Sequence, residues 1–102
     1  MFAIKKWWIR RRLSKRLLRV RLRIGELTTK RDQVLEQLNE HCQYLVSIRG
    51  KSEYRGCKIY SARLRVEELT AELSRLHDLL YACYRDSDNL TQEILQLDKP
   101  AL

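Results

Sequence analysis

Five nitrogen- and sulfur-bearing side chains of the 102-residue sequence are of metal-ligand type: His41, Cys42, Cys57, His77 and Cys83. A tetrahedral zinc site would need such groups converging at ~2.0–2.3 Å from one ion. Three cysteines are an odd count without paired spacing, so neither a zinc motif nor a disulfide framework is read from them. Arg31 and His41 are of types that can form a buried charged site or a pH switch. The sequence holds no Gly-rich phosphate loop and no nucleophile motif. It reads as non-enzymatic, with no cofactor, no metal and no small-molecule substrate.

The densest chemistry lies at the start. Residues 1–24 hold ten of the 21 Lys and Arg residues and no acid, leaving eleven bases against thirteen acids in the remainder. The whole net charge of +8 therefore arises in the first quarter, and such asymmetry points to an anionic partner for that end. Seven of the ten bases are Arg, and Trp7 and Trp8 stand among them. Arg presents a planar fork that matches carboxylate and phosphate, and Trp supplies a large flat contact surface.

The elements that must position these groups follow from hydrophobic spacing. Leu13, Leu17, Val20, Ile24, Leu27, Arg31, Val34, Leu38, His41, Leu45 and Ile48 recur at alternating steps of four and three. Ile59, Ala62, Val66, Leu69, Leu73, Leu76, Leu80, Cys83, Ser87, Leu90, Ile94 and Leu97 do the same. Two sustained heptad tracks of this kind predict two coiled-coil helices. Between them lies a ten-residue segment with Gly50 and Gly56, and Pro100 closes the second track. The expected fold is all-α, an antiparallel two-helix coiled-coil hairpin. Its parts are a basic Trp-containing extension over 1–12, helix one over 13–48, a tip over 49–58, helix two over 59–97 and a tail over 98–102.

Folding the chain back tests the reading. With Ile48 opposite Ile59, the layers become Leu45–Ala62, His41–Val66, Leu38–Leu69, Val34–Leu73 and Arg31–Leu76. They continue as Leu27–Leu80, Ile24–Cys83, Val20–Ser87, Leu17–Leu90 and Leu13–Ile94. The same register brings Asp86, Asp88, Glu93 and Asp98 beside the basic stretch. It also sets Cys83 level with Ile24, His77 level with Lys30 and Cys57 at the tip, turns apart and unable to share a metal. The polar seam residues Arg31, His41 and Ser87 then read as register-fixing or as stems lying along the seam. Thr28, Leu35 and Cys42 widen the seam of helix one, and Leu79 and Tyr84 flank that of helix two. This widening is compatible with two hairpins pairing into a four-helix bundle or with a partner helix in the groove. So small a core favours a partner or self-association.

At the basic end the first helix is two-faced. Ile4, Trp7, Trp8, Leu18 and Leu22 cluster opposite the seam, with Arg11 and Lys15 among them. Lys5, Lys6, Arg10, Arg12, Arg16, Arg19 and Arg23 flank that face. Together these fourteen residues are the candidate partner-binding site. Three partners suit it. A protein would use Trp and Arg as hot spots. RNA or DNA would meet Arg at phosphate and Trp by stacking. An anionic membrane surface would take Trp at its interface and Arg at its headgroups. The leading expectation is an assembly or adaptor subunit, scaffold- or chaperone-like, of a larger complex or a homodimer. Nucleic-acid binding is the alternative and peripheral membrane attachment the second. The tip, with Arg49, Lys51, Tyr54, Arg55 and Lys58, is a lesser candidate contact.

No stretch reaches the ~18 apolar residues of a transmembrane span. Thiols without pairing and no secretory signal fit a reducing, cytoplasm-like compartment. The Arg-rich, acid-free start also resembles a mitochondrial import presequence. The heptad track begins inside it at Leu13, which favours an uncleaved signal over a removed one. In shape the expected architecture resembles the helical hairpins that serve as export chaperones, secretion-machine stalks and RNA-binding bundles, and shape alone does not set function.

Overall fold

The computed structural model describes residues 2–48 and 56–99. Those residues form two helices, α1 (Phe2–Ser47) and α2 (Cys57–Leu97), that pack against each other as an all-α hairpin. Leu, Arg, Glu and Gln dominate both, which are residues that lose little rotamer freedom in a helix. Gly56 takes φ +87, a conformation open to glycine, and its carbonyl accepts the amide of Tyr60 at 3.0 Å, so α2 is launched from it. At the other end the Asp98 and Lys99 amides reach back only three residues, to Leu95 and Gln96 at 3.2 and 3.3 Å. The last turn thus tightens just before Pro100, which has no amide hydrogen to continue a helix.

Burial follows the 4–3 spacing. Every residue of the two heptad tracks is buried or half-buried. Off the tracks, only Thr28, Glu72, Leu79 and Thr91 among the described side chains are less than exposed. A helix that buries one side chain in every three or four has a single narrow stripe against its neighbour, which is the heptad geometry. Two sequence expectations need correction here. Leu35, 42% exposed, and Cys42, also exposed, do not widen the seam. Both flank the track where a third helix would be needed to cover them, and within the hairpin they face water. Tyr84 is exposed as well, whereas Leu79 is half-buried.

The chain divides into two compact units. The first joins the residues up to Leu27 with those from Leu79 onward. Its core is Leu13, Leu27, Leu80 and Leu90, and an ion pair from Arg10 Nη1 to Asp98 Oδ1 at 3.0 Å ties the two helices near their ends. The second unit, Thr28–Asp78, is centred on Leu69 and Leu76, with Ile48 buried toward the tip. There Arg65 donates from Nη2 to Gln37 Oε1 at 3.4 Å across the helices.

The polar seam residues are accommodated locally. The Arg31 stem is half-buried while its guanidinium reaches Asp32 Oδ1 at 3.3 and 3.4 Å. The Ser87 carbonyl accepts the Thr91 hydroxyl at 2.8 Å. Among the described residues, no buried side-chain nitrogen or oxygen lacks a hydrogen-bond partner. Burying them therefore leaves no orphaned polar group, the chief cost of polar seam residues.

Candidate functional site

The first turns of α1 stand out because their described side chains are all exposed. All residues from Ile4 to Arg12 are exposed, and burial begins at Leu13. α2 ends at Leu97, and the ion pair of Arg10 with Asp98 sets that end beside Arg10, so the turns before Arg10 extend past α2. The 4–3 track, continued backward from Leu13, also lands on Arg10, which explains why this Arg turns toward Asp98. Arg10 thus belongs partly to the closure of the hairpin. Arg23 is also engaged, with Glu26 Oε2 at 3.4 Å. Exposed pairs of this kind contribute roughly 0–1 kcal/mol.

The remaining candidates form a continuous outer surface. Ile4, Trp7, Trp8, Leu18 and Leu22 are each more than half exposed. The two indoles meet edge to face with ring centroids 5.2 Å apart and planes at 79°. The Arg11 guanidinium carbon lies 5.3 Å from the Trp7 ring centroid, within the range of a cation–π contact. This contact orients Arg11 before any partner arrives. An open concavity of about 790 Å³ lies beside Trp8 and Ile9, walled by Arg11, Arg12, Lys15, Arg16 and Arg19. Arg11, Arg12, Lys15 and Arg19 form no ion pair among the described residues. Lys5 and Lys6 are exposed on the same helical turns. Arg16 and Arg19 also border a second depression with Asp86 and Glu93, so the acids of α2 screen that flank.

Ile9 belongs to this surface and escaped the sequence reading because it falls between the two helix faces. Its adjacency to Trp8 in an acid-free stretch is the signal that would have found it. A further concavity of about 590 Å³ occurs in the second unit, lined by His41, Tyr44, Lys58, Ser61, Ala62 and Arg65. Ala62, the smallest side chain on either heptad track, is part of this lining. Of the tip candidates, Lys58 is an exposed residue of α2. Arg49, Lys51, Tyr54 and Arg55 lie outside the described residues.

The clearest local electrostatic effect lies elsewhere. Arg75 Nη2 bonds Glu72 Oε1 at 2.7 Å and holds the Glu72 carboxyl below its usual range, with Lys30 assisting and partial desolvation opposing. This is a structural pair on α2, not part of the basic end. Cys42 and Cys83 are free thiols, and no group of three potential metal ligands converges among the described residues. No helix among them is long and apolar enough to cross a membrane.

Compared with known proteins, the chain matches no family model, no curated protein and no solved structure.

Proposed function

We propose that the hairpin is a non-enzymatic adaptor or assembly subunit that docks on a partner protein through the outer face of the first turns of α1. One observation carries the reading. A helix exposes Ile4, Trp7, Trp8, Leu18 and Leu22 on a single side, opposite the face that from Leu13 onward is committed to the hairpin. Monomeric surfaces scatter large apolar residues, whereas a row of them rimmed by charge is the anatomy of an interface. Trp and Arg are the residue types that dominate interface energetics. Their concentration beside an open concavity fits anchors rather than incidental surface.

A second reading, nucleic-acid binding, is favoured by a specific feature, the concavity in which Trp8 is surrounded by Arg and Lys. Stacking on an indole with phosphates on guanidinium groups is a known recipe for single-stranded nucleic acid.

Photo-crosslinking from position 8 of the full-length chain in its native setting separates the two. The adaptor reading expects a discrete protein adduct that is lost in the R11E/K15E variant. An adduct with RNA, DNA or lipid in its place would refute it. The nucleic-acid reading further expects affinity falling linearly in log salt, with a slope reduced by R11A and R12A.

A further inference from the structure

We infer that the outer face of α1 is a second helix-packing seam, and that its occupant is a single amphipathic helix of another protein, apolar at both ends and acidic in the middle. The inference rests on the adaptor reading above and specifies the chemistry of that partner.

The spacing is the first argument. Ile4, Trp8, Arg11, Lys15, Leu18 and Leu22 are separated by steps of four, three, four, three and four. This is the same 4–3 alternation that packs the inner seam, displaced to the opposite side of the helix. It runs from residue 4 to residue 22, a rise of about 27 Å at 1.5 Å per residue. A helix with two heptad faces in phase has one for its own hairpin and one for a third helix. From Leu13 onward the inner face is filled by α2, whereas from Ile4 to Arg12 the helix is exposed all round; along the outer face Ile4, Trp8, Leu18 and Leu22 stand open at 64%, 60%, 59% and 61% exposure.

The order along the seam is the second argument. Two apolar layers, Ile4 and Trp8, are followed by two cationic ones, Arg11 and Lys15, and then by two apolar ones, Leu18 and Leu22. Laid under another helix, Arg11 and Lys15 would lose water, and a desolvated cation without a counter-charge is expensive. No acid lies on this stretch of α1 to serve them, as Asp32 serves Arg31, so a partner with carboxylates at those two layers offsets the cost. The concavity that opens beside Trp8 at these turns is walled by five cations, which leaves room for such groups. Arg11 is already positioned by the Trp7 ring, so little ordering is lost when it binds. Acids in the middle and apolar residues at the ends also fix the register of the incoming helix, since a shift by one layer sets carboxylates on Leu or Trp.

The same order argues against the other occupants. A helix lying in a bilayer interface keeps its charges on the polar side, whereas Arg11 and Lys15 sit in the middle of this apolar row. A nucleic acid would use the cations and Trp8 but would leave Ile4, Leu18 and Leu22 in water.

Synthetic helical peptides of about three heptads test the assignment. Three share Leu at the four end layers and differ only in the two central layers, which carry Glu, Lys or Ala. Binding to the full-length chain is followed by Trp emission and by the gain in helicity. The Glu-centred peptide is expected to bind at least about tenfold more tightly than the Lys-centred one, with R11E/K15E reversing that order. Both substituted residues are exposed, so the variant should retain the wild-type circular dichroism spectrum. Equal affinity for all three peptides, or binding by none, overturns the inference. In either case the position 8 crosslink decides the wider reading: a protein adduct leaves the adaptor function standing, and an RNA or lipid adduct removes both.

Discussion

Leu76 is 1% exposed and Leu27 is 2% exposed, the two most completely buried side chains described. Each is a seam Leu enclosed almost completely, so its truncation removes transfer free energy and leaves a cavity. Leu76→Ala should lower stability by about 2–4 kcal/mol, read as a shift in the urea midpoint. Leu95→Ala, at a site 51% exposed, should stay within about 0.5 kcal/mol. In a hairpin with so narrow a core the first change is a large share of the total. A Leu76→Ala shift no larger than that of Leu95→Ala would mean the seam has been misplaced. Seam residues such as Leu76 were legible because an a or d position is buried by geometry, whatever its neighbours. Arg10 was harder to read. Its charge suggested the outer face, yet its place on the 4–3 track, one step before Leu13, turns it toward Asp98. Spacing outweighed residue type, because a helix fixes the direction of a side chain before chemistry chooses its partner.

At the scale of the element, α1 runs unbroken from Phe2 to Ser47 through Gly25. A Cβ built at Gly25 meets nothing within 4 Å, so glycine is not required there by close approach. Glycine in a helix interior costs roughly 0.5–1 kcal/mol relative to alanine. Gly25→Ala should therefore stabilise the hairpin by about that amount, with a higher melting temperature and no change in docking. A destabilising result would imply that a bend at Gly25 is needed. Helix identity and seam were visible in the sequence because heptad spacing persists over many turns. The flanks were not. Thr91 and Glu72 are half-buried while Leu35 and Cys42 are exposed, an order that hydrophobicity alone inverts. Flanking positions are covered only where a neighbouring helix leans over them. Their burial depends on the local approach of the helices and not on residue type.

For the molecule as a whole, the division of labour between the two ends of α1 has a direct consequence. The residues from Ile4 to Arg12 contribute large apolar surface and many cations, yet none of their side chains is even half-buried. They add length to α1 where α2 has ended. If they were part of the core, removing them would unfold the chain. If they are a docking surface, the hairpin should not need them. Deletion of residues 2–9 keeps Arg10 with its Asp98 contact and the whole set of seam layers. It should leave the urea midpoint within about 0.5 kcal/mol of the full chain, while the mean helical signal falls only by the deleted turns. The same deletion removes Ile4 and Trp8, one apolar end of the outer seam, and should abolish binding of the Glu-centred peptide. A loss of stability above about 1 kcal/mol would show instead that the indoles pack within the hairpin. The apolar row would then be core surface rather than an interface, and the docking function would fall with it.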